Sequence, residues 1–294
     1  ACDMKGFLAV VMALIPTFLK MKRSKPIHLA FSYDEELGCT GVPYLIEYLK
    51  EKGFKADGCL IGEPTDMNVY TGNKGFSEWK VDVKGQAIHS SLALMNTSCN
   101  AIEYAAQIIT KIREIALDLK NNGPRDPKYD CPFAPITTGL IKGGIAVNTV
   151  PADCEFIFSV RLTDTKVADT IESAVKQHVH ASILPMMKEE FPNARVTIEK
   201  GVSYPAFNGD ENAPMTKHAR HLCKDHEIRK SGGGTEAGFF QDVLGIPTVI
   251  VGPGPGTMAH LANEYVLVSQ MEKSMEFTTD IVKIYTATPN ENKL

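Results

Sequence analysis

Long apolar runs are missing from this chain of 294 residues. The most apolar window, residues 7–19, is interrupted by Pro16 and falls short of the ~18 uninterrupted residues that a membrane-spanning helix requires. The first residues also show no charged segment leading into a signal-type core. Basic runs are just as scarce. The longest is Lys20-Met-Lys-Arg-Ser-Lys25 and the net charge is −4, which gives no reason to expect a nucleic-acid partner. The seven cysteines include no Cys-x-x-Cys pair. That argues against a disulfide scaffold or a zinc knuckle, and for reduced thiols in a cytoplasmic setting. Neither Gly232-Gly-Gly234 nor Gly252-Pro-Gly-Pro-Gly256 continues into the Lys-Ser/Thr of a phosphate loop. No Gly-x-Ser-x-Gly elbow supplies a serine nucleophile. Internal repeats, heptads and low-complexity tracts are absent too.

What is present is ample core material, with 44% apolar and 22% charged residues, a globular composition sufficient for one large domain or two ordinary ones. Residues 4–20 carry an apolar stripe at Phe7, Val10, Val11, Leu14 and Phe18, spacings that predict a helix. The apolar run Ile27-His-Leu-Ala-Phe31 predicts a buried strand over 27–33, followed by Asp34-Glu-Glu36. A helix is expected over 41–53, stopped by Gly53, then a short buried strand, Gly58-Cys-Leu-Ile61, ending in Gly62-Glu-Pro-Thr65. Strands alternating with helices predict a largely parallel sheet.

Near residue 72 the style changes. Residues 75–85 alternate through Phe76, Trp79, Val81 and Val83, the pattern of a half-buried antiparallel strand. A helix over 96–119, strands over 135–142 and 152–163, a helix over 167–187 and a strand over 194–202 complete the order β-α-β-β-α-β, that of a ferredoxin-like module. After residue 203 the first style resumes, with a helix over 213–225, a buried strand over 247–252 and a closing helix. The expected organisation is an α/β domain in two parts, 1–71 and 203–294, on a mixed, largely parallel sheet, with a second domain inserted over 72–202.

Polar groups collect at four strand ends: Asp3, the pair Glu35-Glu36, Glu63 and His260. In an open α/β sheet such ends share one edge. Facing carboxylates repel and hold protons unless a cation lies between them. Oxygen donors with imidazole and no thiolate suit zinc, manganese or cobalt at a hydrolytic site, including a pair of ions about 3.5–4 Å apart. Singly, each has an ordinary reading: Asp34 to Glu36 as a solvated turn before a helix, Asp3 as a helix cap, Glu63 as a turn residue, His260 as a loop histidine. Their joint position at strand ends favours the metal. His178 and His180, two apart on a predicted helix, point to different faces, and His218 with His221 reads as a surface pair.

Several stretches resemble the M20 family of binuclear-metal aminoacylases and peptidases, most closely its acetylornithine-deacetylating branch. They are Cys2-Asp-Met-Lys-Gly6, Tyr33-Asp-Glu-Glu36, Gly62-Glu-Pro-Thr65, Val83-Lys-Gly-Gln-Ala-Ile-His-Ser-Ser91, Gly144-Ile-Ala-Val-Asn-Thr-Val-Pro151, Gly234-Thr-Glu-Ala237 and residues 252–265. The resemblance implies that Asp3 bridges two divalent metals, zinc or cobalt, with Glu36, Glu63 and His260 as further ligands and Glu35 as general base. It implies a homodimer formed through the inserted domain, with His89 reaching the site of a partner subunit to stabilise an oxyanion. Asn148 and Arg161 would meet the carboxylate of a small N-acyl amino acid, and Thr235 would add contacts from its loop backbone.

The implied reaction is deacetylation of N-acetyl-L-ornithine. A succinyl-diaminopimelate desuccinylase, a general aminoacylase or a dipeptidase are alternatives within the family. The family also draws one ligand from a His-x-Asp segment upstream of the bridging aspartate, and no His-x-Asp occurs among the eight histidines. The chain opens at the bridging aspartate, so the first part of the catalytic domain is expected to be missing. That departure supports a rival of another class, a non-catalytic relative retained as an interaction protein.

Overall fold

The computed structural model describes residues 1–95 and 97–287. It is an α/β protein that divides into two compact units, residues 1–73 with 207–294, and residues 74–206.

The first unit opens on α1 (Lys5–Lys20), which buries Phe7, Val10, Val11, Leu14 and Phe18, the stripe the spacing predicts. After α2 (Val42–Glu51), Gly53 takes φ +60° and closes the helix in the left-handed region that glycine enters at low cost. Strands β1 (Cys59–Ile61) and β2 (Tyr70–Asn73) follow. The unit resumes with β7 (Phe207–Asn208), α6 (Pro214–Cys223), β8 (Arg229–Ser231), β9 (Thr248–Ile250) and α7 (Val268–Thr286). Val69, Val249 and Val251 are fully buried in its core with Met215, Ala219, Phe277 and Ile281. The α1 stripe packs separately on Met271 and Val282 of α7.

Two sequence expectations fail here. The sheet has the order β1-β9-β2-β7 with β8 on β2. β1–β9 and β2–β8 are parallel, whereas β2–β9 and β2–β7 are antiparallel. It is therefore mixed, as expected, but with parallel and antiparallel pairings alike rather than largely parallel ones. The connection 62–69 is shorter than the dozen or so residues of a parallel crossover, and β2 enters the sheet reversed. The expected buried strand at 27–33 has no regular secondary structure or ladder pairing, and Leu29, Phe31 and Tyr33 are exposed. An apolar run becomes a strand only where a neighbour offers a hydrogen-bonding ladder, and among the described residues β1 is paired with β9 alone.

The second unit runs β3 (Gly75–Lys84), α3 (Ala101–Asn122), β4 (Ile136–Gly143), β5 (Asp153–Leu162), α4 (Lys166–His178), α5 (Leu184–Glu190) and β6 (Arg195–Tyr204). Its antiparallel sheet has the order β4-β5-β3-β6. The alternation read in residues 75–85 is realised, with Trp79, Val81 and Val83 fully buried. The expected 167–187 helix is interrupted by a π-helical turn over Val179–Ile183. The expected helix start, Asn96, lies outside the described residues. α3 begins after Asn100, whose side chain accepts from the Ile102 and Glu103 N–H groups, an N-cap that satisfies donors the first turn leaves open.

Candidate metal centre

Three loops of the first unit converge. Asp3 immediately precedes α1, Glu36 follows the extended segment, and His260 lies in the chain between β9 and α7. His260 Nε2 is 3.1 Å from Asp3 Oδ2 and 3.2 Å from Glu36 Oε2. The ligand atoms of the three residues lie within 4.8 Å of one another. Donors sharing one zinc ion, with bonds of about 2.0–2.2 Å, sit roughly 3–4 Å apart, so the cluster needs only a small contraction. The Asp3 N–H donates to Glu264 Oε1 at 3.1 Å, anchoring the loop that carries the carboxylate.

Three residues around the cluster also take an uncommon backbone conformation. His260 (φ +62°), Asp34 (φ +55°) and Cys39 (φ +58°) are non-glycine residues in the left-handed region, and such conformations persist where surrounding structure enforces them. The Glu35 carbonyl accepts from the N–H groups of Gly38 and Cys39 at 2.9 and 2.7 Å. At Gly41 an added Cβ would meet the Tyr33 carbonyl oxygen at 2.0 Å. The turn that presents the two glutamates is closed by its own backbone.

Glu35 and Glu63 stand beside the cluster, both half-buried. Glu35 Oε1 accepts the Cys39 thiol at 3.6 Å. Burial first, then the charge of Glu36, pushes its carboxyl up to about 7. Glu63 is raised well above the usual range by burial, then by Glu35 and by Asp3, to which it is also hydrogen-bonded. Glu236, 9% exposed, is raised by burial as well.

These residues fit a divalent cation on two grounds. The donors are carboxylate oxygens and an imidazole nitrogen, a set that suits zinc and its neighbours. Burial and neighbouring charge also push up the Glu35 and Glu63 carboxyls, and a cation beside them opposes that repulsion.

Thr235, also in this unit, donates its hydroxyl to Asn73 Oδ1 at 2.8 Å and accepts the Ala237 N–H. The side chain therefore pins its own turn, leaving the loop backbone for other contacts.

The second unit carries the other predicted residues. His89 Nδ1 pairs with Ser91 Oγ at 2.8 Å and accepts the Ser91 N–H at 3.3 Å, capping a short turn over Ser90–Leu92. With Nδ1 accepting, a neutral ring carries its proton on Nε2. The Asn148 carbonyl accepts the Ser90 N–H at 2.9 Å, which sets Asn148 beside His89. Arg161 lies apart on β5, its guanidinium over the Phe76 ring at 4.8 Å and donating to Tyr204 Oη at 2.8 Å.

Sequence reasoning passed over Cys39, Ser32, Glu236 and Glu264. Glu236 was within reach, since it lies in Gly234-Thr-Glu-Ala237, but nothing local says that its carboxylate is buried. His218, read as a surface residue, rests against Tyr285 instead, with Nδ1 3.3 Å from the phenol oxygen.

A family model described as peptidase family M20/M25/M40 matches residues 1–284. Acetylornithine deacetylase of Aliivibrio salmonicida is 25% identical over 283 residues, which cover 95% of this chain and 70% of that protein. Acetylornithine deacetylase of Buchnera aphidicola is 28% identical over 266 residues, 90% of this chain and 66% of that one. Among solved structures, aminopeptidase PepT of Bacillus cereus superposes with a TM-score of 0.74 at 18% identity, covering 96% of this chain and 70% of its own. At that identity the likeness is one of fold.

Proposed function

The chain belongs to peptidase family M20/M25/M40, and from that premise we propose that it is a metal-dependent amidohydrolase that removes the acetyl group from N-acetyl-L-ornithine. The observation that carries the metal dependence is the convergence of Asp3, Glu36 and His260 on one point. The choice of substrate is supported by relatives named acetylornithine deacetylase.

Asp3, Glu36 and His260 would hold one divalent ion, zinc or cobalt, and Asp3 with Glu63 would contribute to a second. When bound, such ions acidify an attacking water and polarise the scissile carbonyl. Glu35 takes the proton of that water on its carboxylate and returns it to the leaving amine nitrogen. The Cys39 thiol, donating to Oε1, fixes the orientation of the carboxylate that does so. His89, protonated on Nε2, would donate to the developing oxyanion at the site of a partner subunit. Asn148, beside His89, and Arg161, apart from both, are candidate contacts to the substrate carboxylate, which a planar guanidinium matches in shape. Thr235 contributes through the backbone of its turn.

We read the second unit as the ferredoxin-like lid and dimerisation domain inserted into a catalytic domain, and the protein as a cytoplasmic homodimer. Comparing turnover of N-acetyl-L-ornithine, N-succinyl-diaminopimelate and a dipeptide by the metal-loaded protein tests the assignment. A kcat/KM for N-acetyl-L-ornithine at least about tenfold above the other two supports it. A preference for either competitor transfers the protein to that activity.

A further inference from the structure

Glu236 has no task in that reading, yet it is placed as a binding group. It is 9% exposed. Its Oε2 accepts the Ser32 hydroxyl at 2.7 Å, three residues before Glu35, which sets the carboxylate against the acidic turn. Its Oε1 is buried and has no hydrogen-bond partner among the described residues. The turn that carries it is fixed by Thr235 through Asn73 and Ala237, so the unpartnered oxygen is held in place beforehand.

A buried carboxylate oxygen is costly unless a donor meets it. Three occupants can be weighed. A proton held permanently on Oε1 would need an acceptor of its own, and none lies within reach among the described residues. The metal ligands of the proposed reading are Asp3, Glu36, His260 and Glu63, and the three residues that gather to a point exclude Glu236. A ligand cation meets the needs of the buried oxygen more fully. An ammonium group brings three donors and a charge, and a charge-assisted hydrogen bond is about twice as strong as a neutral one.

We propose that Glu236 is a substrate-binding residue that selects acylated amino acids bearing a side-chain ammonium group, which donates to Oε1 while Ser32 holds Oε2. The proposal rests on reading this site as that of an N-acyl amino acid hydrolase. It supplies a physical basis for choosing a basic side chain over an apolar one of equal length.

The test compares N-acetyl-L-ornithine with N-acetyl-L-norvaline, which has the same carbon chain without the terminal amine. Wild type, Glu236→Gln and Glu236→Asp would be assayed in the metal-loaded state. Calorimetric binding of the free products, L-ornithine and L-norvaline, would be measured in parallel. The ratio of kcat/KM for the two substrates is expected to fall by about 10–100-fold in Glu236→Gln, the equivalent of one charged hydrogen bond, and to be retained in Glu236→Asp. An unchanged ratio in Glu236→Gln overturns the proposal, as does an equal loss for both substrates. If the wild type hydrolyses neither substrate, the reading of the site fails. Glu236 is then decided by binding alone: a preference for L-ornithine that vanishes in Glu236→Gln upholds its role, and no preference overturns it.

Discussion

Glu35 and Glu36 are neighbours in sequence, yet the fold gives them different surroundings. Glu36 is exposed and faces the His260 imidazole at 3.2 Å. Glu35 is half-buried and receives the Cys39 thiol. One carboxylate is thus free to ligate while the other is held apart to carry a proton. Replacing Glu35 by Gln should lower kcat by about 10²–10⁴-fold, the range in which a positioned acid or base contributes, with metal content unchanged. Steady-state kinetics and elemental analysis of the same sample check both halves. At this scale the sequence was readable where chemistry depends on residue type: the acidic pair and the His260 loop stand out in any strand-end reading. It was silent on Glu236, because burial and an unpartnered oxygen arise only when distant segments meet, and on Cys39, whose contact with Glu35 four residues away depends on the shape of the turn. Ser32 and Glu236 are 204 positions apart.

Elements were legible in proportion to how locally they are determined. The Trp79-Val81-Val83 alternation defines β3 by itself, since β5 and β6 flank it on both edges and its inner face meets a core. The run 27–33 has strand composition without a strand's ladder. β2, read Tyr-Thr-Gly-Asn, has turn composition but is paired by its neighbours. In the second unit, Trp79 stacks on Phe158 at 5.0 Å and donates its indole N–H to Glu172 Oε2 at 2.9 Å, tying β3 to α4. Lys176 donates to the other carboxylate oxygen at 2.6 Å. The bonds to Lys176 and then to Trp79 hold Glu172 below its ordinary 4.5. A carboxyl depressed in the folded state stabilises fully above its unfolded value, and that contribution is lost as pH falls through the folded one. Wild type should therefore lose stability more steeply than Glu172→Gln as pH drops below 4.5. Urea unfolding between neutral pH and about pH 3 follows this, and parallel curves for the two proteins would remove Glu172 from the account.

For the whole molecule, the consequence is a chain with two compact units and one proposed metal centre. The second unit is built around its own cluster of Trp79, Phe156 and Phe158, while the acidic cluster belongs entirely to residues of the first. A cation that binds only the folded state stabilises by about 4 kcal/mol at a thousandfold excess over its Kd. Chelation should accordingly lower the melting of the first unit and leave that of the second in place. Hydrogen exchange resolved by peptide distinguishes the two, and equal loss of protection in both units would contradict the division. In the sequence, hydrophobic periodicity changes near residue 72 and again after residue 203; the chain passes between the two units at residues 73–74 and 206–207.

The central claim is that Asp3, Glu36 and His260 form a divalent-cation site. Equilibrium zinc titration of metal-stripped wild type and His260→Ala addresses it most directly. The account predicts saturable binding by the wild type and an affinity at least about 10–100-fold weaker in the variant, since loss of even an outer partner of a metal ligand costs that much. Equal zinc affinity in the two proteins would contradict it.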